Sequence, residues 1–170
     1  MSVAIYGLGN VLLGDDAVGP AIVEIIAKRW ELPESVVVED LGTPSLDLTE
    51  YISGKDCVIF VDAVEDSGGP GTVLTYDREA ILRHPPGLRL SPHDPSLKDT
   101  LISLEFTGNG PLEVMMVGIV PKQTEIGGGL STEVREAMPR ALDLVRYELS
   151  KRGVDVTERY SEEEPKFWWD

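Results

Sequence analysis

Cys57 is the only cysteine in this 170-residue chain. One thiol excludes an internal disulfide framework and a cysteine-built metal cage within a single chain. Positive charge is also scarce: 15 Lys and Arg stand against 30 Asp and Glu, a net charge of −15. That balance opposes phosphate backbones and makes nucleic acid a poor partner. It serves solubility first, and the steering of a basic peptide or a metal cation second. No apolar run approaches the roughly 20 residues that a membrane-spanning helix needs, so no membrane insertion is expected. The opening Met-Ser-Val-Ala-Ile-Tyr-Gly lacks the basic stretch and long apolar segment of a signal peptide and reads directly as a strand, which makes cytoplasm the default location. There is no G-x-S-x-G elbow, and Cys57 falls inside a predicted core strand. Neither Ser/His nor Cys/His nucleophilic catalysis is indicated.

What is present suits one folded domain: 42% of the residues are apolar, in a chain long enough to bury a core. Val3 to Tyr6 reads as a buried parallel strand. Val18, Ile22, Ile25, Ile26 and Trp30 follow at helical spacing, with Pro20 near the first turn. Val36 to Val38 is a second strand, after which Thr43 is placed to cap a short helix begun by Pro44, with Leu48, Tyr51 and Ile52 on its apolar face. Cys57 to Val61 is a third strand. Thr72 to Tyr76 has no crossover helix before it and reads as an antiparallel edge strand. A helix from about Ser96, a strand from Leu112 to Val120 and a long helix capped by Ser131 or Thr132, bent at Pro139, complete the pattern. The expected fold is a single three-layer α/β domain. It has a mostly parallel twisted sheet of about five strands, one antiparallel edge strand, and helices on both faces. The domain is expected over residues 1–153, followed by an acidic tail, 154–170, ending in Phe167-Trp168-Trp169. Those aromatics fit packing on the body, packing on a neighbour, or no structure at all.

In such sheets ligands collect outside the carboxyl ends of the strands. Asn10, Asp15 and Asp16 follow the first strand, Asp40 the second and Asp62 the third, while His93 sits in a proline-braced loop before a helix. Two carboxylates and an imidazole can hold a borderline divalent metal and leave coordination positions open for water or substrate. Each residue also has a plainer reading. Asp15 or Asp16 can cap a helix, Asp40 and Asp62 can bind loop amides, and His93 can be an ordinary loop histidine. Their gathering at one edge favours function. His84, in a Pro-rich loop, reads as exposed rather than catalytic. Gly7-Leu8-Gly9-Asn10 fails as a dinucleotide fingerprint because Leu12 occupies the last glycine position. Asp15-Asp16 would moreover repel a pyrophosphate.

The run Gly7-Leu8-Gly9-Asn10-Val11-Leu12-Leu13-Gly14-Asp15-Asp16-Ala17-Val18-Gly19 resembles the N-terminal signature of the hydrogenase maturation endopeptidases. The similarity continues through Asp40-Leu41-Gly42-Thr43, Val61-Asp62-Ala63, Ser91-Pro92-His93, Phe106-Thr107-Gly108, Val117 to Pro121 and Gly129-Leu130-Ser131. Ala17 stands where glycine is frequent. The resemblance implies a protease that trims the C-terminus of the large-subunit precursor of nickel–iron hydrogenases. It implies that Asp16, Asp62 and His93 recognise nickel, and that Asp40 matches a further acidic position of functional weight. The nickel would arrive in the precursor, held by the precursor's own thiolates. No tightly bound cofactor is then expected, although a surrogate divalent metal fits the site. The free enzyme is expected to be a monomer. Two other classes stay open: a conventional hydrolase with its own Zn²⁺ or Mn²⁺, and a non-catalytic nickel-binding assembly factor.

Overall fold

Val3–Leu8 is buried at every position, on both faces, and forms β1 at the heart of the sheet. The computed structural model that shows this describes residues 1–43, 48–83, 94–160, 165–167 and 169. β1 is flanked in parallel by β3 (Val36–Gly42) and β4 (Cys57–Ala63). β4 pairs in parallel with β6 (Glu113–Ile119), and β5 (Val73–Asp77) closes the far edge antiparallel to β6. The resulting order is β3-β1-β4-β6-β5. The expected five-stranded, mostly parallel sheet with an antiparallel edge strand is therefore present.

Alternation along the strands divides the core into two layers. On one face, Ile5, Ile59 and Val117 pack against Ile22 and Ile26 of α1 (Val18–Arg29) and Val145 and Leu149 of α5 (Thr132–Lys151). On the other, Tyr6, Phe60 and Met116 meet Ile52 of α2 (Thr49–Ile52), Ile81 of α3 (Arg78–Arg83) and Leu101 of α4 (Asp94–Thr107). Each fully buried aliphatic side chain here contributes about 2 kcal/mol through burial. No helix among the described residues is long and apolar enough to cross a membrane.

Several local expectations are corrected. Trp30 continues the apolar face of α1, yet the helix ends at Arg29. Trp30 opens β2 (Trp30–Glu31), which pairs antiparallel with β7 (Thr157–Glu158). Trp30 is buried all the same, with the Arg146 guanidinium 5.0 Å from its ring centroid. Tertiary pairing here overrides a helical pattern that continues one residue too far. α3 carries no strong periodicity and was not expected, while α4 starts two positions before Ser96. The helix placed after Thr43 is described only from Thr49, and Pro44 lies outside the described residues. α5 is capped by Ser131, whose Oγ accepts from Val134 N at 3.4 Å, and Pro139 lies within it. The tail aromatics Phe167 and Trp169 pack against the α1/α5 core layer. Their rings are stacked, with centroids 4.8 Å apart and planes 14° from parallel.

Candidate active site

The strand order reverses direction between β1 and β4: from β1 the chain goes outward to β3, then returns to the other side at β4. Such a switch point opens a crevice at the carboxyl ends of the two central strands. Glycine lets α1 close down on it. A Cβ on Gly19 would lie 2.3 Å from both the Leu8 and the Val61 carbonyl oxygens, so the first turn of α1 sits directly over the ends of β1 and β4. Gly9, at φ 138°, is closer still: its Cβ would fall 1.9 Å from the Asp16 carbonyl oxygen. A Cβ on Gly7 would lie 2.7 Å from the Gly19 carbonyl oxygen, so Gly7 and Gly9, which mimic a dinucleotide fingerprint, serve backbone approach.

Asp16 occupies a 3₁₀ turn, Gly14–Ala17, that bridges β1 to α1, and it is 7% exposed. Its Oδ2 accepts from Asn10 N at 2.7 Å, which fixes the carboxylate toward the end of β1. Asp62 is 1% exposed near the end of β4, one position past the Gly7–Val61 pair. By alternation it follows Val58 and Phe60 onto the sheet face covered by α4, the helix that begins directly after position 93. His93, like His84 and Trp168, lies outside the described residues. Among the described residues no group of three His, Cys, Asp or Glu side chains is placed to hold a metal ion.

The adjacent acids divide their work. Asp15 is fully buried and accepts four hydrogen bonds: Lys122 N at 2.8 Å, Gln123 N at 3.1 Å, Ser131 N at 2.6 Å and Ser131 Oγ at 2.8 Å. Its own N–H donates to Gln123 O at 2.9 Å. Asp15 therefore ties the loop after β6 and the N-terminus of α5 to the turn that carries Asp16. No local sequence pattern marks this role, because its partners lie more than 100 positions away.

Asp40 is placed differently. It is exposed on the edge strand β3, and Val36 and Val38 before it pack toward the α1 layer rather than the α4 layer. Its Oδ1 accepts from Gly42 N at 2.7 Å. Partial burial raises its carboxyl pKa above the ordinary value; the Gly42 hydrogen bond works against this and the charge of Glu24 adds to it. Asp40 lines a cleft of about 150 Å³ together with Pro20 and Glu24 of α1 and the tail residues Phe167 and Trp169. The sequence pattern held no sign of that cleft, since its two walls are some 140 positions apart.

Comparison with known proteins bears on this geometry. The sequence profile of the hydrogenase maturation protease family matches residues 20–148. The hydrogenase 2 maturation protease of Escherichia coli K12 is 34% identical over 163 residues, covering 94% of this chain and 97% of that protein. The solved structure of the E. coli hydrogenase maturating endopeptidase HybD superimposes with a TM-score of 0.86 at 33% identity, covering 94% of this chain and 98% of that one. The NiFe hydrogenase maturation protease HybD of Thermococcus kodakarensis gives a TM-score of 0.70 at 27% identity, over 87% of this chain and 99% of that one.

Proposed function

We propose, for a chain that belongs to the hydrogenase maturation protease family, that it removes the C-terminal extension of a nickel-loaded nickel–iron hydrogenase large-subunit precursor. Asp16, Asp62 and His93 recognise the nickel that this precursor carries. The observation that supports the reading is the burial of two carboxylates, Asp16 and Asp62, at the switch point, with α4, which begins at Asp94, covering the Asp62 face. A nickel ion held by the precursor's soft thiolates retains room for hard oxygen and borderline nitrogen donors, so the two proteins divide the ligand types between them.

Docking on the nickel brings the scissile peptide into the crevice, and positioning is then the main contribution to rate. The nickel is part of the substrate, so the enzyme needs no resident metal, although a surrogate divalent ion fits the same donors. One of the two buried carboxylates takes the proton of the attacking water, which adds to the peptide carbonyl carbon. The leaving amine is protonated as the C–N bond breaks. Asp40, exposed and turned toward the α1 layer, bears on the substrate chain rather than on the nickel. The enzyme works in the cytoplasm, as a monomer when free, on a folded protein partner.

Intact mass spectrometry tests this reading. Purified enzyme shortens the nickel-loaded precursor and leaves the nickel-free precursor uncut. Equal cutting of both forms would remove nickel from recognition. Stoichiometric copurifying metal, with activity lost to chelation, would identify a conventional metallohydrolase. Binding without any change in mass would identify an assembly factor.

A further inference from the structure

We propose that the cleft between α1 and the C-terminal segment is a subsite for one cationic side chain, arginine or lysine, of the substrate polypeptide, and that Phe167 and Trp169 are its specificity-determining wall. The inference rests on the preceding reading only in taking a polypeptide as the substrate.

The cleft holds about 150 Å³, or about five waters at their liquid volume of roughly 30 Å³. That is room for one extended side chain. Its sides are apolar where a methylene stem would lie: Ala17, Pro20 and Ala21 line one side, and the stacked rings of Phe167 and Trp169 the other. Its polar groups are the carboxylates of Glu24 and Asp40, with Lys166 among the tail residues. A lining that combines carboxylates with apolar and aromatic side chains matches a long aliphatic stem with a cationic head, through ion pairing and cation–π attraction together. Glu24 is ion-paired to Lys28 at 2.8 Å, one turn along the exposed face of α1. An exposed pair of this kind is worth little and exchanges partners readily. Burial first, and the charge of Glu24 as a smaller contribution, raise the Asp40 carboxyl pKa, so the two carboxylates lie near enough to interact.

The aromatic wall is built into the fold rather than draped over it. Pro165 is buried, and Trp169 covers Gly129, where any Cβ would come within 2.8 Å of the indole ring. The Arg135 guanidinium lies 5.9 Å from the same ring. The wall therefore stands ready before substrate arrives, so little ordering entropy opposes binding.

Two measurements test the assignment on the full-length protein. The first titrates N-acetylarginine amide and, separately, N-acetylnorleucine amide, and follows the indole N–H resonance of Trp169, identified by its loss in Trp169→Phe. The arginine probe shifts this signal and saturates, the uncharged probe does not, and Glu24→Gln weakens the response about fivefold. No shift with either probe, or equal shifts with both, overturns the subsite. The second measures precursor cleavage by Trp169→Ala, with its unfolding midpoint recorded alongside. KM rises about fivefold, more than kcat falls; an unchanged KM overturns the assignment. Should wild-type enzyme leave the precursor uncut, the maturation reading fails while the probe titration still decides the subsite.

Discussion

Asp15 and Ser131 stand 116 positions apart in the chain and are joined twice, the Ser131 N–H donating to Oδ1 at 2.6 Å and its hydroxyl to Oδ2 at 2.8 Å. The residue that caps α5 is thus also the anchor of the turn that carries Asp16. Removing the carboxylate strands buried donors, each at a cost of about 1–3 kcal/mol. Asp15→Ala should lower unfolding stability by about 3 kcal/mol or more in urea titration. A loss under 1 kcal/mol would show that water replaces the carboxylate without penalty.

Its neighbour should behave in the opposite way. Asp16→Asn keeps the volume and an acceptor for Asn10 N, so the protein stays folded, but the charged ligand proposed for nickel is lost. Cleavage of nickel-loaded precursor should fall about 100-fold or more, and His93→Ala should do the same. Wild-type rates in both variants, read by intact mass, would take these residues out of the site.

Gly9 tests how closely the crevice is drawn. A methyl group at this position meets the Asp16 carbonyl oxygen at 1.9 Å, in a backbone conformation at φ 138° that L-residues rarely adopt. Gly9→Ala should cost about 2–3 kcal/mol and displace Asp16, so that cleavage falls further than the stability loss predicts. An alanine variant with an unchanged urea midpoint would mean that the turn can move aside freely.

Cys57 supplies a pH signature. It is buried in β4, and burial pushes its thiol up to about 11 from an ordinary 9.0, with Arg152 pulling the other way. A group whose pKa is higher in the folded state contributes stability that is complete below the unfolded value and is lost as pH rises through the folded one. Stability should therefore decline between about pH 9 and pH 11, and Cys57→Ala should make that decline shallower. At pH 8 the native thiol should resist iodoacetamide, and rapid alkylation there would contradict its burial.

The sequence made the layers legible because burial leaves a mark in composition: β1 and β4 are apolar at nearly every position, as strands covered on both faces must be. The switch-point carboxylates were legible for a related reason, since Asp16 and Asp62 each follow an apolar strand run. Long-range pairing was not. Trp30 reads as the next residue of a helix until Thr157–Glu158 is known to lie beside it, and no pattern around Asp15 reveals Ser131. Asp40 looked equivalent to Asp62 because both follow an apolar strand run; only the register and the path of β3 send them to different layers. The tail was least legible, since a run of glutamates before three aromatics fits packing and solvation equally well.

Among the described residues β3 has a strand neighbour on one side only in the main sheet, and Glu39 and Asp40, both exposed, lie on this edge strand. An unpaired edge invites a second copy to extend the sheet across two molecules. Bringing two such edges together would crowd four carboxylates into a few ångströms of low-dielectric contact. The acid near the end of β3 therefore also guards against self-assembly. Asp40→Val should not only alter the cleft but leave the protein prone to associate edge to edge as its concentration rises.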